Sequence, residues 1–556
     1  MDQTPKPGVN FTANQWLMNL FRFNPPVWVL WLLVVGVGLF VPLMDNDSAH
    51  HANIALRMYL TGDYVRLVDY DGPYLDKPHL HFWLSALSYH LFGVNSFAYK
   101  FPSFVLCLVG VWAVYRASFL LLNEVAAKMA ALVFATSASF LLGLNDVRMD
   151  AILTAAVAIA IWQMAGFIKN QSWRYVLGVA LGMAISFSTK GYIGVLIPSM
   201  FFLLYCFFER RWDLVINYRW LFGVLVFILF ISPVLYAYYI QYNLHPELVV
   251  RGQDHINGVR FILWDQTIGR YGGEMGADAK TDRLFFFHTF LWAFAPWSIL
   301  GFRSLIKKGG FRHLSSLVKS ILLVMVLFGV LIGFSSFKLP HYINITVPLA
   351  SIWVASILSE PGLLIKKIAW VEWLMWVLIG LVAGLLLIWW FPAQPFWFWL
   401  GLLFSFVILF YNIKKLELSP PALVVRISTA VLVLFWLLNA GFYKNLLDYQ
   451  GGNRLADKLK GAGEMGAVYS LSGCYSSSFY FNTKTIRMEL GVEEAKKTTG
   501  YLLYDIKQEP ELIKAGVLLS DKISVWDYEI TKLTGKFLDP DKRISVCTRL
   551  VVAKIN

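Results

Sequence analysis

Residues 27–43 read VWVLWLLVVGVGLFVPL and contain no charged side chain. A helix needs roughly 20 mostly apolar residues to cross the hydrocarbon core of a bilayer, so this run predicts a membrane span. It follows Pro25 and Pro26 and has no small-residue cleavage site, and we therefore interpret it as a retained span and not as a signal peptide. The chain turns polar immediately afterwards, at Met44–Asp45–Asn46–Asp47.

Further apolar runs of the same kind follow along the chain. They lie at 101–122, 125–143, 150–168, 175–189, 191–208, 220–241, 284–302, 318–335, 343–359, 369–391, 396–411 and 424–443. The sequence thus predicts an all-α polytopic membrane protein with about 13 transmembrane helices. Composition agrees, because 58% of the residues are hydrophobic and only 15% are charged, whereas about a quarter are charged in an ordinary soluble domain. A soluble enzyme, a disordered chain and a disulfide scaffold are excluded, the last by four cysteines in 556 residues.

Lys and Arg residues lie mostly in loops on one side of this arrangement. If the N-terminus is cytoplasmic, nineteen of them face the cytoplasm, in 1–26, 115–129, 169–174, 208–219, 303–319, 360–368 and 411–426. The short outer turns hold only Arg148, Lys190 and Lys338. Such a bias sets membrane orientation. The net charge of +13 therefore indicates orientation against anionic lipid and not nucleic-acid binding.

Two outer segments and the tail are too polar to span a membrane. The outer segments are 44–100 and 242–283, and the tail begins near residue 445. Short apolar runs in the tail alternate with polar, helix-like stretches, which is typical of a small α/β domain. We predict a membrane domain over 1–444 and an extracytoplasmic α/β domain over 445–556. Cys474 and Cys547 both lie in this tail, either as a disulfide or as two unpaired thiols.

Polar side chains recur at the outer ends of the predicted spans. Asp47 follows the first span, the segment Tyr74–Leu75–Asp76–Lys77 lies in the first outer loop, Asp146 to Asp150 follows the third span, and Lys338 to Tyr342 follows the ninth. Ionisable residues at membrane depth are costly and often functional. A carboxylate there can act as general base on an acceptor, and Lys or Arg can stabilise a departing phosphate.

Histidines are concentrated in the first outer loop. Five of the ten lie between residues 45 and 95, and Asp76 and His79 are candidate metal ligands. No HxxxH spacing or cysteine pair supports a metal site, so ordinary hydrogen-bonded histidines are the competing interpretation. The sequence contains no P-loop.

The order of these motifs resembles the integral-membrane GT-C glycosyltransferases. The most similar branch contains bacterial lipid A aminoarabinose transferase and the protein O-mannosyltransferases. The resemblance rests on Asp47, Gly62–Asp63–Tyr64, Asp76–Lys77–Pro78, Phe82–Trp83, Arg148–Met149–Asp150, Lys190–Gly191, Asp265 to Arg270 and Lys338–Leu339–Pro340–His341–Tyr342. It covers about 1–445, while the tail matches only in type.

This resemblance implies a polyprenyl-phosphate sugar donor used on the outer face of the membrane. It places Asp47 as the leading catalytic carboxylate and Asp150 as a second one. The residues implied to bind donor phosphate or substrate are Tyr74, Lys77, Arg148, Arg270, Lys338, Tyr342 and His50. The chain departs from the branch at Ser48, His50, His79 and Thr267, which leaves open the sugar and a bound metal.

The leading hypothesis is an inverting glycosyltransferase of the bacterial inner membrane, with its N-terminus in the cytoplasm and its tail in the periplasm. The acceptor is a lipid A-like glycolipid or a protein, no cofactor is required, and a divalent metal is a possibility. One alternative is a transporter or flippase of lipid-linked sugars, which would place polar residues near the bilayer midplane. Another is a periplasmic binding domain for which the spans are only an anchor.

Overall fold

The chain is a bundle of apolar helices with a small mixed sheet at its C-terminal end. The computed structural model describes residues 18–70, 72–250, 252–266, 282–307, 311–335, 338–360, 368–461 and 466–555. The prediction of a mostly helical polytopic protein with a small C-terminal α/β domain is confirmed.

The helices before the tail follow one another through short connections. They are Pro25–Phe40, Asp47–Thr61, Leu80–Phe92, Ser96–Leu121, Glu124–Ala135, Ala138–Asn145, Met149–Lys169, Trp173–Lys190, Ile193–Glu209, Trp212–Val215, Arg219–Tyr238, Gly258–Arg260, Phe285–Ala293, Trp297–Lys307, Ser316–Gly333, Val347–Leu358, Trp370–Gly384, Phe396–Lys415, Pro420–Trp436 and Lys444–Leu447. Short π-helical segments lie at Tyr239–Asn243, Phe261–Asp265, Leu385–Trp390 and Leu437–Tyr443, and 3₁₀-helical segments lie at Phe311–His313 and Pro340–Thr346.

Eight helices among the described residues are long and apolar enough to cross a membrane, or nine if one bent pair counts as a single span. The predicted number of thirteen is therefore not confirmed. The bent pair is Glu124–Ala135 with Ala138–Asn145, at 49°. The run 284–302 forms two helices that meet at Pro296, because proline cannot donate the backbone hydrogen bond that continues a helix. The chain is a multi-pass membrane protein.

Small residues and buried amides hold the helices together. Gly110 lies so close to the neighbouring helix that an added Cβ would come within 3.0 Å of the Ala155 Cα. Asn24 Nδ2 donates to Asn412 Oδ1 at 3.0 Å, and Asn412 Nδ2 donates to Thr429 Oγ1 at 3.1 Å. Close backbone approach and polar bridges are the usual means of helix association where lipid removes the hydrophobic driving force.

The first outer loop contains two helices and a short hairpin. Asn46 caps the helix Asp47–Thr61 by accepting from the Ser48 amide at 2.8 Å, and the helix ends at Gly62, whose φ is 70°. Strands β1 (Val68–Asp69) and β2 (Gly72–Pro73) pair antiparallel before the helix Leu80–Phe92. The loop therefore presents an ordered helix N-terminus at Asp47.

A buried lysine contacts the C-terminal end of the helix Pro25–Phe40. Lys100 is fully buried, and its Nζ donates to the carbonyls of Gly38 and Val41 at 3.0 and 2.8 Å. Gly38 lies in the last turn of the helix Pro25–Phe40 and also accepts from the amide of Val41, the C-cap residue, at 3.3 Å. Carbonyls at this end of a helix lack their usual amide partners four residues on. The contact therefore holds the end of this helix shortly before Asp47.

The tail forms a five-stranded sheet. Its strands are β3 (Val468–Leu471), β4 (Glu489–Leu490), β5 (Gly500–Asp505), β6 (Leu519–Asp527) and β7 (Thr548–Ile555), and their order in the sheet is β4-β3-β5-β7-β6. The helices between residues 451 and 543 are Gly451–Gly461, Ser477–Thr483, Val492–Ala495, Glu509–Lys514, Gly535–Leu538 and Pro540–Arg543. Strand β3 is parallel to β4 and β5, whereas β7 is antiparallel to β5 and β6. Cys474 and Cys547 are both free thiols, so the disulfide alternative is not realised.

Asp45 joins the tail to the first outer loop. Its carboxylate accepts from the Ser476 hydroxyl at 2.7 Å and from the amide and hydroxyl of Ser478, both at 3.0 Å. Burial raises the pKa of the Asp45 carboxyl, against these hydrogen bonds, which lower it. Gln450 adds two bonds to the same loop, accepting from the Asp45 amide at 2.6 Å and donating to the Leu43 carbonyl at 2.9 Å. The tail is thus fastened directly beside Asp47.

Candidate functional site

Asp47 lies at the first position of its helix and faces solvent. Its side chain is 46% exposed, and a carboxylate at a helix N-terminus is stabilised by the helix dipole. Arg148 Nη1 donates to Asp47 Oδ2 at 3.0 Å. The structure therefore brings together two predicted site residues that are 101 positions apart in the chain.

Asp146 holds the guanidinium of Arg148 in place. Its Oδ2 accepts from Arg148 Nε at 3.1 Å and from Nη2 at 3.0 Å. The same oxygen accepts from Asn46 Nδ2 at 3.2 Å, and Asn46 is the residue that caps the Asp47 helix. Both guanidinium donors converge on this one oxygen, and such charge-assisted hydrogen bonds are stronger than neutral ones. Asp146 thus orients both Arg148 and the start of the helix that bears Asp47.

Asp150 lies in a separate, buried ion-pair group. Lys190 Nζ donates to Asp150 Oδ1 at 2.7 Å, and His341 Nε2 lies 3.5 Å from Oδ2. Only 6% of the Asp150 side chain and 9% of the Lys190 side chain are exposed. Lys190 Nζ also lies 4.4 Å from the centre of the Tyr342 ring, a cation–π contact. Asp150 and Tyr342, both predicted, are therefore joined through Lys190.

Gly191 caps the C-terminus of the helix Trp173–Lys190, directly after the lysine that contacts Asp150. Its φ is 75°, and an added Cβ would come within 2.6 Å of Gln266 Oε1. Only glycine accepts this conformation without strain. Gln266 Nε2 in turn donates to the Asp76 carbonyl at 2.6 Å, which connects this turn to the segment that contains Lys77.

Lys77, Lys190 and Tyr342 line one open cleft with an empty volume of about 1080 Å³. Its remaining walls are largely apolar and consist of Ile193, Leu196, Phe328, Leu331 and Ile332, with Tyr192, Gln266 and Ser335 beside them. We call this the amphiphilic cleft. A cleft lined by two lysines and several apolar side chains matches a ligand with an anionic head and an apolar chain.

His50, on the Asp47–Thr61 helix, and Tyr74 belong to one cluster of rings, with their ring centres 5.7 Å apart. His50 Nε2 is 2.8 Å from Asp69 Oδ2, and the Tyr74 hydroxyl is 3.3 Å from His51 Nε2. Burial and then the nearby His50 lower the pKa of His51 well below its usual value. Burial and then the Asp76 charge raise the pKa of Tyr74 well above its usual value. Tyr74 is therefore a neutral hydroxyl donor at physiological pH.

Lys338 and Arg270 are not placed in this group. Lys338 Nζ donates to the Asp282 carbonyl at 2.9 Å, and Lys338 is absent from the described lining of the amphiphilic cleft. Arg270 and Thr267 lie outside the described residues. Of the predicted phosphate-binding cations, Lys77 lies in the amphiphilic cleft and Arg148 lies beside Asp47.

The described residues contain no group of three His, Cys, Asp or Glu side chains that could hold a metal ion. His79, a candidate ligand, uses Nε2 to contact the Val65 carbonyl at 2.8 Å, and its ring packs on Trp83 and Tyr238. Burial lowers the pKa of His79 to about 4. These contacts favour the interpretation of His79 as a hydrogen-bonded structural histidine.

Asp146, Lys190 and His341 contact the predicted site residues, although the sequence alone assigned them no role. A signal existed for Lys190, since a lysine between two apolar runs at membrane depth is unusual. His341 sits within a quoted motif, but its contact with Asp150 depends on packing between distant helices. Asp146 resembles an ordinary helix-end residue until its three hydrogen bonds are seen.

The fold and the site together define a polytopic membrane protein that resembles the GT-C glycosyltransferases of the aminoarabinose-transferase branch. The family model described as dolichyl-phosphate-mannose-protein mannosyltransferase matches residues 76–237. The structure is similar to ArnT from Cupriavidus metallidurans bound to undecaprenyl phosphate, with a TM-score of 0.71, 16% identity and 98% of each chain covered. The apo form of that protein gives a TM-score of 0.70 over 97% of this chain and 98% of that one.

Two curated relatives are named as enzymes of the same aminoarabinose-transferase branch. The undecaprenyl phosphate-α-4-amino-4-deoxy-L-arabinose arabinosyl transferase of Pseudomonas paraeruginosa is 29% identical over 334 residues, 57% of this chain and 56% of the relative. In Proteus mirabilis, the arabinosyl transferase 1 of the same name is 25% identical over 211 residues, which are 36% of this chain and 38% of the relative. The chain thus spans about half the length, or less, of these relatives.

Proposed function

We propose that the chain is an inverting glycosyltransferase that takes a sugar from a polyprenyl-phosphate donor. The acceptor is a lipid A-like glycolipid or a protein on the outer face of the membrane. The donor named in the relatives, undecaprenyl phosphate-α-4-amino-4-deoxy-L-arabinose, makes a pentose the first sugar to test, and a hexose the second.

The amphiphilic cleft is the observation on which this proposal rests. Lys77, Lys190 and Tyr342 line it together with six aliphatic or aromatic side chains. A phosphate fits the cationic part and a polyprenyl chain fits the apolar wall. A transporter of the same ligand would need polar residues along a path through the bilayer, whereas this polar group lies at the helix ends.

Asp47 and the cations have complementary roles in the proposed reaction. The acceptor hydroxyl attacks the anomeric carbon and its proton passes to Asp47, the half-exposed carboxylate. The bond between the anomeric carbon and the phosphate oxygen breaks, and the phosphate leaves with the electron pair. Lys77 and Lys190 stabilise that charge, while Arg148 holds Asp47 in position. No cofactor enters this scheme, and transfer in the presence of a chelator tests whether a divalent metal contributes.

We place the protein in the bacterial inner membrane, with a cytoplasmic N-terminus and a periplasmic tail. The excess of Lys and Arg in one set of loops supports this orientation. In this scheme residues 1–444 form the catalytic domain, and residues 445–556 form the periplasmic domain beside Asp47. The hydrogen bonds from Ser476 and Ser478 to Asp45 support a tail that closes over the outer side of the site.

Sugar transfer in proteoliposomes tests the assignment. The full chain is reconstituted with the undecaprenyl-phosphate donor and lipid A, and the product is followed by mass spectrometry. The wild type is expected to form a covalent product that Asp47→Asn does not. Undiminished turnover by Asp47→Asn would remove the assignment of Asp47, and donor movement across the bilayer without a covalent product would favour a flippase.

A further inference from the structure

Tyr99 and Lys100 are neighbouring polar residues at the outer end of the helix Ser96–Leu121. Both are fully buried, and neither has a part in the proposed reaction. They lie in the first turns of the helix, where Asn95 Oδ1 accepts from the Ala98 amide at 2.9 Å. A lysine buried at the end of a membrane helix is costly unless its ammonium is well bonded. The contacts of these two residues therefore indicate what they are buried for.

Lys100 contacts the segment that leads to Asp47. Its Nζ donates to the Gly38 and Val41 carbonyls at 3.0 and 2.8 Å. Val41 is the C-cap of the helix Pro25–Phe40 and precedes Asp47 by six residues. A cation is favoured at a helix C-terminus, and hydrogen bonds from an ionised donor are stronger than neutral ones. Lys100 thus holds the chain on the Asp47 side of the site.

Tyr99 contacts the turn that carries Arg148. Its hydroxyl donates to the Val147 carbonyl at 3.3 Å. Val147 lies between Arg148 and Asp146, the carboxylate that orients the Arg148 guanidinium. Tyr99 thus holds the chain on the Arg148 side of the site.

His81 supports the direction of the Tyr99 hydroxyl. His81 Nε2 lies 2.9 Å from that oxygen. Burial, against the charge of Asp150, lowers the pKa of His81 to about 4, so the ring is neutral at physiological pH and carries one N–H. Both contacts are satisfied when Nε2–H donates to the Tyr99 oxygen and the Tyr99 proton points to the Val147 carbonyl.

One packed helix therefore holds both sides of the site. The Cα atoms of neighbouring residues are about 3.8 Å apart, so the two contacts share one rigid origin. The helix Ser96–Leu121 also packs closely on the helix Met149–Lys169, which begins directly after Arg148, since an added Cβ at Gly110 would lie 3.0 Å from the Ala155 Cα.

The contact between Asp47 and Arg148 depends on this spacing. Arg148 Nη1 and Asp47 Oδ2 meet at 3.0 Å, and a hydrogen bond is lost when its atoms separate by much more than half an ångström. A misplacement of about 1 Å at a reacting group can cost about 10²-fold in rate. Side chains that fix the two segments can therefore control turnover without contacting substrate.

We propose that Tyr99 and Lys100 are positioning residues that set the Asp47 carboxylate against the Arg148 guanidinium. The inference rests on the proposed function for the reaction that the pair serves, but not for the geometry itself. Lys100 acts through the end of the first helix, and Tyr99 acts through the Val147 carbonyl.

Transfer kinetics in proteoliposomes separate positioning from donor binding. Lys100→Met removes both donated bonds and should lower kcat about 10-fold to 100-fold, with donor KM unchanged because Lys100 does not line the described amphiphilic cleft. Lys100→Gln keeps a donor and should recover part of the loss. Tyr99→Phe should lower kcat about threefold to tenfold. Tyr89→Phe is the matched control, since it loses a buried bond of the same kind, to the Ala52 carbonyl at 3.1 Å, and should transfer like wild type.

Coupling to Asp47 distinguishes positioning from general support of the fold. If Lys100 acts through Asp47, Lys100→Met should cause little further loss in the Asp47→Asn background. Losses that multiply in the double variant would overturn the proposal, as would a rise in donor KM with kcat retained. If Lys100→Met does not fold, Tyr99→Phe with Asp47→Asn provides the same cycle.

Hydrogen exchange followed by mass spectrometry tests the geometry without any sugar transfer. In Lys100→Met and Tyr99→Phe, amide exchange at 47–50 and 146–149 should rise about threefold or more, while the tail strand Val468–Leu471 exchanges as in wild type. Unchanged exchange at both segments, or an equal rise throughout the chain, would overturn the positioning role. If exchange rises locally but no variant or wild type transfers sugar, the positioning role stands and the proposed function fails.

Discussion

Two carboxylates at the outer ends of the helices differ in exposure and in partners. Asp47 is 46% exposed and Arg148 contacts one of its oxygens. Asp150 is 6% exposed, with Lys190 on one oxygen and His341 near the other. A half-exposed carboxylate can meet an acceptor and take its proton, whereas a buried, paired one is committed to holding its neighbours. Under the proposed function we therefore expect Asp47 to take the proton and Asp150 to position Lys190.

Asp47→Asn should cause the largest loss of activity. The amide keeps the size of the side chain and can still contact Arg148, but it cannot accept a proton. Because general-base catalysis contributes about 10²–10⁴-fold, kcat should fall by that factor with little change in donor KM. Steady-state transfer kinetics measure this, and an equal loss in Asp457→Asn, at an exposed tail aspartate, would show that the effect is not specific.

Lys190→Met should damage stability as well as transfer. It leaves Asp150 buried without its main cation, and breaking such a pair costs about 3–5 kcal/mol. We expect a clear drop in the unfolding midpoint in detergent and a rise in donor KM. Lys338→Met is the matched control, since that lysine contacts only a carbonyl in the described structure and should change stability little. Equal stability of the two variants would contradict the buried-pair interpretation.

The difference between these carboxylates could be predicted only in part from the sequence. Apolar runs and the Lys and Arg bias predicted a polytopic fold, and alternating short segments predicted the tail sheet, because both signals are local. The order of motifs brought Asp47 and Arg148 into one hypothesis. The contacts of Asp150 with Lys190 and His341 depend on how distant helices pack, which periodicity does not encode.

The number of spans was the least predictable feature for the same reason. A hydropathy run shows that a segment is apolar, but it does not show where the helix bends or stops. The run 125–143 contains a 49° bend between two helices, and the run 284–302 contains Pro296 between two others. The amphiphilic cleft was equally hidden, because its apolar side chains and its cations come from separate parts of the chain.

Asp146→Asn should have a smaller effect that sharpens the role of Arg148. The asparagine retains an acceptor but loses the charge that faces the guanidinium, so Arg148 is held less firmly against Asp47. We expect transfer to fall about tenfold, corresponding to one charge-assisted hydrogen bond. Asp213→Asn is a matched control, since Asp213 pairs with Arg211 at the same two-residue separation but is exposed, and it should transfer sugar like wild type.

Tyr74→Phe should give the smallest change. Loss of one neutral hydrogen bond predicts a rise in donor KM of about threefold to tenfold with kcat retained. Since burial and the Asp76 charge raise the pKa of Tyr74 well above its usual value, the phenol stays protonated from pH 6 to 9, and the pH–rate profiles of variant and wild type should be parallel there. Tyr64→Phe, at an exposed tyrosine paired with His90, should match wild type in KM. An alkaline limb lost only in Tyr74→Phe would mean that Tyr74 ionises during turnover, and it would then join Asp47 as a proton acceptor.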